Sequence, residues 1–176
     1  AVNPGNIREP GKARNLGVKH AKGEILLFID DDIIVAEDWI ARNVRVLVQY
    51  DVDVVGACIT GKSHAFFARC VDYTNFGYYL SRLTHDGPVP SASMGVSKQL
   101  FQAVGGFDET LCSGEDIDFC YRVQEKGYRS IYEPEIVVQH DHQRDTFFEL
   151  LRYNYTHGLN GGLTTKIRHR KLEWHN

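Results

Sequence analysis

The residues best suited to chemistry in this sequence are acidic and imidazole side chains in three short clusters. The first cluster is the triplet Asp30-Asp31-Asp32, which directly follows an apolar run at 25–29. At a strand end, alternation would place Asp30 and Asp32 on one face, where carboxylate oxygens suit the hard cations Mg²⁺ or Mn²⁺. A solvated turn leading into helix-capping acids is the alternative, and the triplet alone leaves both interpretations open.

The second cluster, Glu115-Asp116 with Asp118, lies at the start of a predicted helix. Acids in a first helical turn are stabilised by the helix dipole, which by itself explains Glu115 and Asp116. A catalytic role would require one carboxylate to accept the proton of a substrate hydroxyl as a general base. Both interpretations stay open at this point.

The third cluster is His140-Asp141-His142, at the end of a predicted strand. Alternation along a strand places His140 and His142 on the same face. Imidazole is a common ligand of transition metals, although it suits Mn²⁺ less well than a carboxylate does. The pair therefore fits a metal site and a structural role about equally.

These clusters are expected at the ends of elements in an α/β fold. The uninterrupted apolar run at 25–29 predicts a strand buried on both faces. Further strands are predicted at 52–61, 91–97, 129–132 and 136–140, and helices at 12–22, 98–104 and 115–126. A helix after Asp38 is predicted to carry one apolar face of Ile40, Val44, Leu47 and Val48. This alternation predicts a mostly parallel sheet flanked by helices, with a ligand beyond the carboxyl ends of its strands.

Composition and charge limit the classes of function. A chain of 176 residues, 43% hydrophobic and 24% charged, predicts one domain. The net charge of −3 argues against a general nucleic-acid binder, so no nucleic-acid partner is expected. Four cysteines are scattered without a CxxC pair, which predicts reduced thiols in a cytoplasmic protein. No apolar run in the sequence approaches the length of a transmembrane helix.

Five motifs follow one another along the chain: GKARNLG at 11–17, AKGE at 21–24 leading into FIDDD at 28–32, Trp39, VGGFDE at 104–109 with GEDID at 114–118, and Gly127-Tyr128 followed by Pro134 and His140. In this order and spacing they resemble the family 2 glycosyltransferases of the GT-A fold. Five ordered motifs are far more specific than any single one. The resemblance implies a partial GT-A (Rossmann-like) sheet flanked by helices, with a helical tail.

The resemblance implies transfer of a sugar, with inversion, from a nucleotide-diphosphate sugar to an acceptor hydroxyl. By this analogy Asp30 and Asp32 would hold Mn²⁺ or Mg²⁺ on the donor diphosphate, with His140 close to the metal. The cation would neutralise the leaving group as charge develops on it. A UDP-sugar is the expected donor, and a glycan or a lipid-linked molecule is the expected acceptor.

The remaining site residues follow from the same resemblance. Arg14 and Asn15 would face the donor pocket, beside the donor-binding Asp31. Asp116, or else Glu115, would be the general base that accepts the proton of the acceptor hydroxyl.

The sequence departs from the family pattern at its beginning. Members usually open with two strands that hold the nucleoside, so residues 1–145 are predicted to form a GT-A-like domain that lacks those strands. The sheet edge left unpaired could pair with a second copy of the chain. Residues 146–176 are predicted to form a helix and a basic tail, whose apolar stripe and basic run at 166–171 could lie on a membrane.

Two other functions remain as alternatives. A degenerate or incomplete GT-A-like domain could act as a binding or scaffold module without turnover. The missing strands favour that interpretation, and the intact acidic clusters disfavour it. A metal-dependent phosphoesterase also uses carboxylates and histidines, but it needs two cations about 3.5–4 Å apart.

Overall fold

The computed structural model describes residues 9–63, 65–70, 73, 87–141 and 146–157. The elements whose bounds are described are, in chain order, α1 (Pro10–His20), β1 (Ile25–Ile29), β2 (Ile33–Ile34), α2 (Trp39–Gln49), β3 (Val54–Gly61), β4 (Ser93–Ser97), α3 (Lys98–Val104), α4 (Glu115–Glu125), β5 (Ser130–His140) and α5 (Phe147–His157), and residues 66–70 are also helical. The predicted α/β architecture is confirmed, and the predicted helix at 98–104 has the bounds of α3.

The sheet has the strand order β1-β4-β3-β5-β2 and is mixed rather than mostly parallel. Strands β3 and β5 are parallel, whereas β4 is antiparallel to both β1 and β3, and β2 is antiparallel to β5. The prediction of a mostly parallel sheet was therefore wrong. Helices cover both faces of the central strands. A strand that is buried on both faces is apolar along its whole length, so its apolar run does not reveal whether its neighbours are parallel or antiparallel.

Each face of the sheet has its own hydrophobic core. Helices α1, α3 and α4 cover one face, where the rings of Phe28, Phe101, Phe107 and Phe119 pack with centroids 5.1–5.4 Å apart. Helix α2 covers the other face and packs on β3 and β5. Leu26 and Phe28 belong to the first core and Leu27 packs against the second, as the alternation of side chains along β1 requires.

Helix α2 buries a different face from the one predicted. Trp39, Asn43 and Val46 are buried, whereas Ile40 and Val48 are 62% and 72% exposed. Trp39 orients the helix, because its indole N–H donates to Ser93 Oγ at 3.1 Å on β4. A pattern of apolar residues cannot reveal such a hydrogen bond, so the prediction was off by about one position.

The two strands predicted around Pro134 form one strand, β5. Its pairing with β3 is regular from Ser130 to Glu133 and resumes at Val137, with an irregularity where Pro134 lies. Proline has no backbone N–H to donate, and such an irregularity lets a strand pass through it without losing its pairing on either side.

Strand β1 forms one edge of the sheet. It pairs with β4, and the described part of the chain supplies no strand on its outer side. At the other end of the described chain, α5 begins the segment predicted as a tail, and the basic run at 166–171 lies outside the described residues. Among the helices that the structure describes, none combines the length and the apolar character needed to cross a membrane.

Candidate active site

The acidic triplet lies in a tight turn that joins β1 to β2. The N–H of Asp30 donates to Ala92 O at 3.3 Å, and the N–H of Ile33 donates back to Asp30 O at 3.3 Å, which closes the turn. Asp31 is exposed at the tip of this turn. Because the chain turns here, the alternation of an extended strand does not apply, and Asp30 and Asp32 contact different partners.

Asp30 belongs to what we call the Arg14 cluster, formed by Arg14, Asp30 and Glu115. The guanidinium of Arg14 donates through Nη2 to Asp30 Oδ1 at 2.6 Å and through Nη1 to Glu115 Oε1. These contacts tie α1 to the end of β1 and to the first residue of α4. The expected metal-binding carboxylate of Asp30 is thus engaged by a protein cation, and its role toward a metal stays a prediction.

Burial and charge act against each other within the Arg14 cluster. Burial alone would lower the pKa of the Arg14 guanidinium, but Asp30 and Glu115 outweigh burial and raise it. Glu115 is only 5% exposed, and burial together with the neighbouring Asp116 charge raises the pKa of its carboxyl despite Arg14. Arg14 is therefore the group that makes a buried Glu115 carboxylate tolerable.

The second constellation is the Asp32–His140 pair. His140 Nε2 lies 3.0 Å from Asp32 Oδ2, because β2 pairs with β5 and places Ile33 opposite His140. The N–H of Asp141 donates to Asp32 O at 2.8 Å, and the Asp141 carboxylate accepts from Lys62 Nζ at 2.7 Å. His140 is buried, whereas the Asp32 side chain is one-third exposed and accessible to a ligand.

The Asp32–His140 pair fits a divalent cation that a substrate completes. Among the residues with described positions, no three His, Cys, Asp or Glu side chains form a metal-binding group, and His142 lies outside them. The Asp32 carboxylate is nevertheless a ligand that suits Mn²⁺ or Mg²⁺, and Mg²⁺ is commonly held by one or two carboxylates with substrate phosphates and water, while the imidazole is the weaker match. The pair is thus suited to a cation that arrives with a diphosphate.

Asp116 is held separately from Glu115, although the two are adjacent. Its Oδ2 accepts from the N–H of Ser91 at 2.9 Å and from the Ser91 hydroxyl at 3.2 Å, and its Oδ1 accepts from the N–H of Ile117 at 2.8 Å. Its side chain is half-buried, whereas Glu115 is buried. The sequence did not identify Ser91 as a site residue. It follows Pro90 just before β4, and nothing in the surrounding residues marks it as a partner of Asp116.

Asn15 holds the turn that precedes Phe107. Its side-chain amide donates to Phe107 O at 2.8 Å and accepts from Phe107 N at 3.0 Å, so both ends of the amide contact one backbone unit. A third contact joins it to Glu109 at 3.1 Å. The structure gives Asn15 a part in positioning this turn, and its predicted contact with a donor stays a prediction.

Comparisons with known proteins identify the family of this chain. The sequence model of the family described as "Glycosyltransferase like family 2" matches residues 2–155. The pre-mycofactocin glycosyltransferase of Mycobacterium tuberculosis is 31% identical over 145 residues, which cover 76% of this chain. The match spans 30% of that protein, so the chain corresponds to about a third of its length.

Solved structures share the fold. The mannosyltransferase PcManGT from Pyrobaculum calidifontis, in complex with GDP-Man and Mn²⁺, superimposes with a TM-score of 0.64 at 22% identity over 92% of this chain and 44% of its own. TarS of S. aureus in complex with UDP gives a TM-score of 0.53 at 20% identity, over 90% of this chain and 48% of its own. At these identities the likeness concerns the fold.

Proposed function

Because the chain belongs to the glycosyltransferase-like family 2, we propose that it carries the catalytic part of an enzyme that transfers a sugar from a nucleotide-diphosphate sugar to an acceptor hydroxyl. One observation carries the proposal. Four segments of the chain meet at one end of the sheet, where Arg14 joins Asp30 to Glu115 and, two residues after Asp30, Asp32 meets His140.

Asp32 and His140 are the residues that we propose hold the metal. A bound Mn²⁺ or Mg²⁺ would supply Lewis-acid neutralisation of the diphosphate leaving group. We favour this pair over Asp30 because Asp30 is engaged by Arg14, whereas the Asp32 carboxylate is one-third exposed beside an imidazole. Asp30 and the exposed Asp31 would then lie on the donor side of the site. The relatives solved with GDP-Man and Mn²⁺ or with UDP support a nucleotide-sugar donor, and a UDP-sugar is the one we favour.

Asp116 is the residue that we propose acts as general base. Glu115 is buried and its charge is balanced by Arg14, so it is poorly placed to receive a proton from a substrate. The half-buried Asp116 would accept the proton of the acceptor hydroxyl while the acceptor oxygen bonds to the anomeric carbon. The bond from that carbon to the diphosphate breaks on the opposite side, which inverts the anomeric configuration.

The acceptor, the location and the assembly are further parts of the proposal. Helix α5 exposes Phe147, Phe148, Leu151 and Tyr155, which suits contact with the cytoplasmic surface of a membrane that carries a lipid-linked glycan acceptor. A failure of the full chain to float with anionic vesicles would contradict the membrane contact. The outer side of β1 is where a second copy would pair, and a monomer by light scattering would contradict that pairing.

Donor binding tests the proposed function. We expect calorimetric titration with UDP-glucose, UDP-N-acetylglucosamine and GDP-mannose to give heat with at least one of them when MnCl₂ is present. Asp32→Ala should abolish the Mn²⁺-dependent part of the heat. Asp38→Ala removes an exposed aspartate that pairs with Arg42 on α2, and it should bind as the unmodified chain does. If no donor gives heat with the unmodified chain, the scaffold interpretation replaces the enzyme.

A further inference from the structure

We propose that Ser91 is a positioning residue that sets the place and orientation of the Asp116 carboxylate for proton transfer. This inference rests on the proposed function, in which Asp116 is the general base. Both donor groups of Ser91 point to the same oxygen, Asp116 Oδ2, with the N–H at 2.9 Å and the hydroxyl at 3.2 Å. Two donors on one oxygen restrict rotation of the carboxylate more than a single donor would.

The contacts of Asp116 leave it able to accept a proton. A carboxylate has about four acceptor positions, and Ser91 and the N–H of Ile117 occupy three among the described residues. The two Ser91 donors fill Oδ2, so the remaining position is on Oδ1. The geometry thus assigns Oδ2 to fixing the position of Asp116 and leaves Oδ1 to accept the proton of the acceptor hydroxyl.

The segment that carries Ser91 is itself held firmly. Ser91 is buried, and the neighbouring Val89 packs so closely on β3 that a Cβ added to Gly56 would lie 2.5 Å from Val89 Cβ. The N–H of Val89 contacts Cys120 Sγ at 3.4 Å, on the same helix as Asp116. A rigid segment can transmit its position to the carboxylate, whereas a mobile one could not.

The same segment also contacts the acidic triplet. Ala92, the residue after Ser91, accepts a hydrogen bond from the N–H of Asp30 at 3.3 Å. Two consecutive residues therefore contact the proposed base and the strand end that leads into the proposed metal-binding turn. Ser91 would accordingly fix the distance between the group that takes the proton and the group that holds the donor.

The test compares Ser91→Ala, Ser91→Thr and Ser93→Ala in the full chain. Ser93 is a matched control, since it is a buried serine two residues after Ser91, but its hydroxyl contacts Trp39 on the other face of the sheet. The reaction followed is release of nucleoside diphosphate from the donor that binds in calorimetry, with MnCl₂ present and water as acceptor. Binding affinity and melting temperature are measured for every variant.

We expect Ser91→Ala to lower kcat about tenfold with donor affinity unchanged, because misplacing a reacting group by about 1 Å costs up to 10²-fold. Ser91→Thr keeps the hydroxyl and should recover most of the rate. Ser93→Ala should lower the melting temperature at least as much as Ser91→Ala while keeping kcat. In an Asp116→Asn background, Ser91→Ala should have no further effect on kcat.

The possible failures are distinguishable. If the unmodified chain neither binds nor cleaves any donor, the proposed function falls and this inference falls with it. If the unmodified chain is active but Ser91→Ala keeps its kcat, the positioning role alone is overturned. Equal loss of kcat in Ser91→Ala and Ser93→Ala, or an undiminished effect of Ser91→Ala beside Asp116→Asn, would reduce Ser91 to a structural residue.

Discussion

The Arg14 cluster and the Asp32–His140 pair begin at the same acidic triplet, yet their charges are balanced in different ways. In the Arg14 cluster, two carboxylates share one guanidinium, and the side chains of Arg14 and Glu115 are 18% and 6% exposed, although that of Asp30 is 35% exposed. In the Asp32–His140 pair, a one-third exposed carboxylate meets an imidazole at 3.0 Å. The carboxylates of the first are neutralised by the protein's own cation, whereas the second is the pair that we propose binds a cation from outside.

This difference suggests separate roles within one acidic turn: the Arg14 cluster stabilises the fold, and the Asp32–His140 pair is the part that we propose binds a ligand. A buried carboxylate that loses its cation destabilises a protein strongly, so removing Arg14 from the Arg14 cluster should lower the free energy of unfolding. A one-third exposed carboxylate loses less stability when it is unpaired, so the Asp32–His140 pair is the one that we propose for the metal. The sharpest way to test the comparison is therefore to remove a cation from each region.

The largest effect on stability is expected from Arg14→Met. This substitution leaves Glu115 buried without its cation, and breaking such a pair should lower the free energy of unfolding by about 3–5 kcal/mol. Lys62→Met removes the cation beside the Asp32–His140 pair, where Lys62 is half exposed, and should cost about 1 kcal/mol or less. Urea denaturation followed by circular dichroism measures both values.

A second substitution checks the reason for that loss. If the unpaired charge is the cause, Glu115→Gln added to Arg14→Met should restore part of the stability, since a neutral amide is cheaper to bury. Equal costs for Arg14→Met and Lys62→Met would contradict the difference between the two regions.

A smaller effect is expected in the turn that Asn15 holds beside the Arg14 cluster. Gly105 and Gly106 both have positive φ, so alanine at either position brings left-handed strain of about 1–2 kcal/mol. A Cβ on Gly106 would also lie 3.0 Å from Asn15 Oδ1 and 3.1 Å from the Phe101 ring, whereas one on Gly105 meets nothing within 4 Å. Gly106→Ala should therefore destabilise the protein more than Gly105→Ala in the same urea experiment, and the reverse order would contradict the packing described here.

The smallest effect is a difference in thiol reactivity. Cys120 lies four residues after Asp116 on α4 and is completely buried, and burial raises the pKa of its thiol to about 12. At neutral pH it is protonated and inaccessible, while Cys112 is exposed. Brief treatment with iodoacetamide should modify Cys112 well before Cys120, and both should react in urea. Mass spectrometry of the peptides measures this, and early modification of Cys120 would mean that the segment below Asp116 opens readily.

The elements that could be predicted are those with a strong local pattern. Helix α3 was predicted at its observed bounds, since Ser97 caps its start and Gly105 in the left-handed region ends it. The positions of the acidic triplet, of the acids at the start of α4 and of His140 at the end of β5 also follow from local sequence. The face of α2 and the direction of β4 could not be predicted, because they depend on Trp39 reaching Ser93 and on which strands become neighbours.

Within the candidate site, local sequence was enough to name the candidate residues. Motif order and residue type were enough to name the acidic triplet, Glu115, Asp116 and His140, and to identify the family. The tertiary structure decided which partner each of them contacts. Arg14 pairs with Asp30 and Glu115. Asp32 contacts His140, and Ser91 donates hydrogen bonds to Asp116. The reason is physical, because the sequence gives the type of each residue but not its partners. The groups that balance a charge lie as many as 108 positions away, and only folding brings them within hydrogen-bonding distance.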